Sequence, residues 1–205
     1  MKKIILSLFV ALLFSTNVNA DTNLDKEVKK IRFAVTNIAH MDIDKKAAYD
    51  ELLTKTDGLI KEYPQNNTLK TWKATALSSQ AKFLGLSALS NVKKARKILE
   101  EVVKNDKLKN DATAYYMLGI LYYKAPAWPV AFGNDKKSKK YFDQAFAIED
   151  NLDTNFRYGE FLLNQGDEKE ALIYLKKAAS FKNRENRKED ELKKRDINNL
   201  ISEIK

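Results

Sequence analysis

Apolar residues recur along this chain every three or four positions, in step with an α-helix and out of step with a strand. Leu24, Val28, Ile31, Val35 and Ile38 stand 4, 3, 4 and 3 residues apart and form one stripe on a predicted first helix. Asp44 is placed to cap a second helix that runs to Tyr63 and stops before Pro64, because the residue ahead of a proline is pushed out of helical geometry. No run alternates with period 2 for long enough to predict a sheet. The fold class is therefore all-α, with about nine helices in one solenoid-like domain.

A repeat organises the middle of the chain. Trp72, Ala76, Ser79, Ala95, Leu99 and Val102 align with Tyr115, Gly119, Tyr122, Ser138, Phe142 and Ala145 at a constant offset of 43 residues. Asn155, Tyr158, Gly159, Leu162, Ala171, Leu175 and Ala178 supply a third unit. Self-similarity of this length predicts stacked helical hairpins over about 68–105, 111–148 and 152–181. The small residues let paired helices approach, and the large ones fill the space between successive hairpins. A last amphipathic helix over about 187–204, with Leu192, Leu200, Ile201 and Ile204 inward and charges elsewhere, is expected to end the stack.

Tyr115-x2-Leu118-Gly119-x2-Tyr122 with Ser138-x3-Phe142, and Asn155-x2-Tyr158-Gly159-x2-Leu162 with Gly166 and Ala171-x3-Leu175, resemble the tetratricopeptide repeat. The first unit carries Thr75, Ala76 and Ser79 where the family has Leu, Gly and Tyr. Ser79 to Ala95 and Tyr122 to Ser138 span 16 residues against 9 from Leu162 to Ala171, so the first two hairpins hold seven-residue insertions near 80–94 and 123–137. Whether these are loops or helix extensions stays open in the sequence. The second insertion, with the tract after Tyr158, is similar to the helical T-component proteins associated with TRAP-type transporters. These resemblances imply a right-handed solenoid of antiparallel hairpins that binds a protein or peptide on its concave face. The T-component resemblance implies an accessory or ligand-binding part of a solute transport system, with a solute-binding protein among its partners.

The N-terminus sharpens the expected destination. Met1-Lys2-Lys3, an apolar run of 11 residues from Ile4 to Phe14, and Val18-Asn19-Ala20 form a secretory signal pattern. The run is too short to span a bilayer, which takes about 20 residues. Residues 1–20 are thus read as a cleaved signal, and 21–205 as a single helical domain in the periplasm without a stable membrane insertion. With no cysteine there is no disulfide, thiolate metal site, thiol nucleophile or lipidated anchor. Loss of Lys2 and Lys3 takes the formal net charge from +9 to +7. The lysines alternate with acids, as in Lys169-Glu170 and Arg187-Lys188-Glu189-Asp190, which reads as solvated faces rather than a nucleic-acid surface.

Catalysis needs a positioned nucleophile, base or metal, and the pattern offers none. His40 is the only histidine, at the junction of the first two helices, where a helix-terminal role is the plain reading. No enzyme activity, metal or cofactor is expected. Through the alignment, the family's concave face maps onto Lys70, Lys73, Leu77 and Gln80, then Tyr116, Ile120, Tyr123 and Lys124, then Phe156, Glu160 and Asn164. Aromatic and cationic groups in that setting suit a peptide backbone or an anionic group. Trp128 to Phe132, stiffened by Pro126 and Pro129, forms a second candidate, either a binding anchor or a loop folded back as core. The expected partner is another periplasmic protein or peptide, with a small molecule and a homo-oligomer left open.

Overall fold

The computed structural model describes residues 23–105, 111–185 and 187–204, so the signal segment lies outside the described residues. Nine α-helices and no strand occur among them. They are α1 (23–37), α2 (Lys45–Glu62), α3 (Asn67–Ala81), α4 (Ala88–Asn105), α5 (Ala112–Lys124), α6 (Asp135–Ile148), α7 (Leu152–Gln165), α8 (Glu168–Ser180) and α9 (Asp190–Glu203). A single 3-10 turn, Ile38–His40, follows α1, and another, Gly85–Ser87, precedes α4.

Local chemistry sets the helix starts. The side chains of Asp44, Asn66, Asp111, Asn134, Asn151 and Asp167 each accept a hydrogen bond from a backbone N–H in the first turn they precede. Such caps satisfy donors that the helix cannot, and each contributes about 1 kcal/mol. Helix α2 ends with Tyr63 just ahead of Pro64, as the sequence predicts. The first insertion is half loop and half helix, because α3 stops at Ala81 and α4 starts at Ala88. The second is a loop, residues 125–134.

Helices α3 and α4, α5 and α6, and α7 and α8 pack as hairpins, while α3 touches α5 and α5 touches α7. The hairpins close at small residues. Ser138 Oγ donates to the carbonyl of Gly119 at 2.9 Å, and a Cβ on Gly119 would stand 2.8 Å from the Phe142 ring. On Gly159 it would stand 2.8 Å from Leu175. Ala76, Ala95, Ser138 and Ala171 are all fully buried at equivalent positions. Rings then join one hairpin to the next. Phe142 lies 5.5 Å from both Tyr158 and Phe161, Tyr123 lies 5.5 Å from Phe161, and Phe146 meets Tyr158 edge-on at 5.5 Å.

The chain ends differ in part from expectation. Ile31 and Val35 on α1 and Ile38 in the turn after it are buried against Tyr49, Leu69 and Trp72, with Leu24 and Val28 at the edge of that cluster. On α9 the central apolar residue is Ile197, fully buried with Leu152, Leu175 and Ala178. Leu200, Ile201 and Ile204 only flank it. No described helix is long and apolar enough to cross a membrane.

Phe142 joins two hairpins with no exposed surface, so Phe142→Ala should remove about 3–5 kcal/mol of stability. That is a fall in Tm of roughly 10 °C for a chain of this size, readable by calorimetry. A loss below about 1 kcal/mol would contradict the ring's place at the junction.

Candidate functional site

Helices α3, α5 and α7 face a concavity that α1 and α9 bound from the side. It holds two adjoining cavities of about 480 and 380 Å³. Thr75, Ser79, Lys82, Met117, Arg157 and Glu160 line both, which makes them one groove with two compartments. The larger compartment has an apolar wall from Leu89, Val92, Met117, Ile120 and Leu121, and its charged lining residues are Lys82, Lys124, Arg157 and Glu160. The smaller reaches Val35 and His40 at the α1 end, and Lys193, Asp196 and Leu200 on α9.

The charges at the centre of the groove are partly matched. Arg157 Nη1 lies 2.7 Å from Glu160 Oε2, one turn apart on α7, and Lys124 Nζ reaches Glu160 Oε1 at 3.9 Å. Burial pushes the Glu160 carboxyl up, but the charges of Arg157 and Lys124 outweigh that and hold it below the usual carboxylate range. Lys82 makes no ion pair among the described residues. Desolvation, followed by repulsion from Arg157 and Lys124, lowers its pKa. The Arg157 guanidinium also lies 4.4 Å from the Phe156 ring centre, which fixes its plane against the groove floor.

The α1 and α9 ends meet through ions. Asp153 on α7 accepts from Lys193 Nζ at 2.5 Å and from Arg184 Nη2 at 2.8 Å. Arg184 also forks onto Asp190 at 2.6 and 2.8 Å. Arg32 Nε on α1 donates to Glu189 Oε1 at 2.9 Å, and His40 Nε2 stands 3.5 Å from Asp196 Oδ2. Asp153, Glu189, Asp190 and Lys193 are all buried. The run Arg187-Lys188-Glu189-Asp190 is therefore not a solvated face throughout: its two acids turn inward. Arg187 within the run stands 3.7 Å from Glu189, but the other partners lie at residues 32, 184 and 193, which alternation of charge along the chain does not reveal. Burial pushes Asp153 up, but Lys193 and Arg184 more than reverse it, and its carboxyl lies well below the usual range.

The sequence-derived site residues divide into three groups. Tyr116, Ile120, Lys124, Phe156 and Glu160 line the groove. Lys73, Leu77 and Gln80 do not: Lys73 pairs with Asp57 on α2, Leu77 is core, and Gln80 donates to Asp50 Oδ1 at 2.6 Å and accepts from Asn91. Helices α2 and α4 cover that side of α3, so Thr75, Ser78, Ser79 and Lys82 face the groove instead. At about 100° per residue these lie on the side of α3 roughly opposite the aligned set. Lys70, from the same set, pairs with Glu101 on α4. Tyr123 is buried against Phe161, outside the groove lining, and Asn164 is exposed at the end of α7.

The 125–134 loop divides its aromatic residues between core and surface. Phe132 folds back edge-on to Tyr122 at 5.4 Å beneath the Arg96 guanidinium, 4.3 Å from the ring centre. Trp128, 84% exposed, and Val130, 60% exposed, form the tip. The loop's base is tied by Gly133 N to Pro126 O and Asn134 N to Tyr122 O, both at 2.8 Å. A Cβ on Gly133 would stand 2.1 Å from the Ala125 carbonyl, so only glycine admits that closure.

Lys82, Met117 and Arg157 escaped the sequence-derived site. Arg157 follows Phe156 in the aligned set, and a wider helical arc on α7 would have included it. No group of three or more acids or histidines suited to a metal ion occurs among the described residues. No protein-family model matches the chain, and no curated protein matches it in sequence.

Two stability predictions follow from the polar groups. Asp153→Ala leaves Lys193 buried without its closest acid and should cost about 3–5 kcal/mol at pH 7. The folded pKa of Asp153 is depressed, so the wild-type stabilisation is present above the unfolded value of about 3.9 and fades as pH falls through the folded one. Denaturant titrations should show the gap to Asp153→Asn constant from neutral pH down to mild acid, then shrinking. A gap that widens in acid would reverse the assignment. The Tyr123 hydroxyl is buried without a hydrogen-bond partner among the described residues. Tyr123→Phe should therefore raise stability, by about 1 kcal/mol, and a loss of that size would reveal a partner.

Proposed function

We propose that the chain is an exported, non-catalytic binding scaffold whose inner face holds a small-molecule ligand, as an accessory component of a solute transport system. In this reading the three hairpins form a tetratricopeptide-like right-handed stack, α9 caps it, and the mature protein works in the periplasm. One observation carries the ligand assignment: the inner face is a bounded groove with compartments of about 480 and 380 Å³. Small-molecule sites are concave, mostly apolar and of roughly 300–1,000 Å³, with a few convergent polar groups. An open solenoid would suit a long peptide better than this groove, where the Arg32–Glu189 ion pair ties α1 to the approach to α9 across one side.

A protein partner is favoured at another place by Trp128 and Val130, which stand exposed on a loop with a tied base. Stiff aromatic tips lose little entropy on contact and make effective anchors. A solute receptor docking there would leave the groove free for the solute.

Site-specific photo-crosslinking in the native host separates these readings. A photoreactive residue replacing Ser78 in the groove should capture an adduct below about 1 kDa by intact mass. The same residue replacing Ile173, 65% exposed on α8, should capture none. A polypeptide adduct at 78 would return the groove to protein recognition. Capture at 173 alone would exclude the inner face.

A further inference from the structure

We propose that the larger groove compartment binds an amphipathic monoanion, a carboxylate head on an unbranched apolar tail, with the head between Lys82, Lys124 and Arg157. This deepens the small-ligand reading above and rests on it.

Three cations and one carboxylate face this compartment, an excess of two positive charges. Glu160 takes up Arg157 through a 2.7 Å contact and Lys124 through a looser 3.9 Å one, and among the described residues no acid pairs with Lys82. Like charges gathered in one groove are unfavourable until a counter-charge arrives, and the lowered pKa of Lys82 reflects partial desolvation and then that repulsion. Asp196 is the next acid within influence, but it stands across the smaller compartment beside His40. An anion entering at Lys82 would meet two further donors already held in place, Arg157 by Glu160 and Phe156, and Lys124 at the end of α5.

Beyond those charges the compartment is mainly apolar: Leu89, Val92, Met117, Ile120 and Leu121 come from α4 and α5, and Thr75, Ser78 and Ser79 add only hydroxyls from α3. A few cations beside a wall of this apolar extent favour an amphiphile over a sugar, whose many polar groups would outnumber the partners that the wall offers. Size narrows the class further. At about 30 Å³ per water-sized element of liquid, 480 Å³ corresponds to roughly 16 non-hydrogen atoms. A carboxylate with a tail of about ten carbons falls within that limit.

Titration calorimetry of the purified protein with decanoate at neutral pH tests the assignment. Saturable binding is expected, with decanol and decyltrimethylammonium at least tenfold weaker. The double variant Lys82→Gln, Lys124→Gln should lose at least tenfold in decanoate affinity with its melting temperature nearly unchanged, because both side chains are exposed. Equal affinity for decanoate and decanol would overturn the anion subsite, as would unaltered binding in the double variant. If no alkyl amphiphile binds while a small adduct still forms at position 78, the ligand class falls and the inner-face site stands. Absence of any adduct at 78 removes the site itself.

Discussion

Asp153 occupies the first turn of α7, nearly out of contact with water, and a carboxylate there is sustainable only if cations come to it. Lys193 reaches it from α9 and Arg184 from the segment between α8 and α9. Arg184 brings Asp190 with it, and the neighbouring Glu189 takes Arg32 from α1. Satisfying one buried charge on the third hairpin thus fixes the start of α9 and ties it to the first helix. The groove depends on this constraint. Without it α3, α5 and α7 would present an open face, and neither α1 nor α9 would bound the smaller compartment.

The apolar pattern made the helices legible because each one needs only local information: a stripe at 3.6-residue spacing, a polar cap, a proline or glycine stop. The hairpin contacts were legible for a related reason. Gly119 against Phe142 and Gly159 against Leu175 place a residue with no side chain opposite a large one at a fixed offset, and the offset repeats. Groove-lining residues were legible in part on α5 and α7, as Tyr116, Ile120, Lys124, Phe156 and Glu160. On α3 the aligned residues face elsewhere, because the degenerate first unit turns a different face to α2, and the polar contacts of Lys73 and Gln80 that hold it there are non-local.

The buried ions were illegible for the same reason in a stronger form. Glu189 and Asp190 lie in a stretch that alternates charge like any surface, and the partner of Glu189 on the first helix, Arg32, is 157 residues away. The loop with Trp128 shows the converse. Its composition suggests either core or surface, and its two aromatic residues divide the roles because closure at Gly133 turns Phe132 inward while leaving the tip outside.

A row of identical hairpins can ordinarily gain or lose a unit, since each contacts only its neighbours and the ends are free. Here the ends are tied to one another. Inserting a hairpin between α4 and α5 would preserve every neighbouring contact yet carry Arg32 away from Glu189 and open the ring of charges at Asp153. The number of units in this chain is therefore set by the circumference that its first and last helices can close, and evolution by duplication or deletion of a unit is barred unless the end-to-end tie is rebuilt with it.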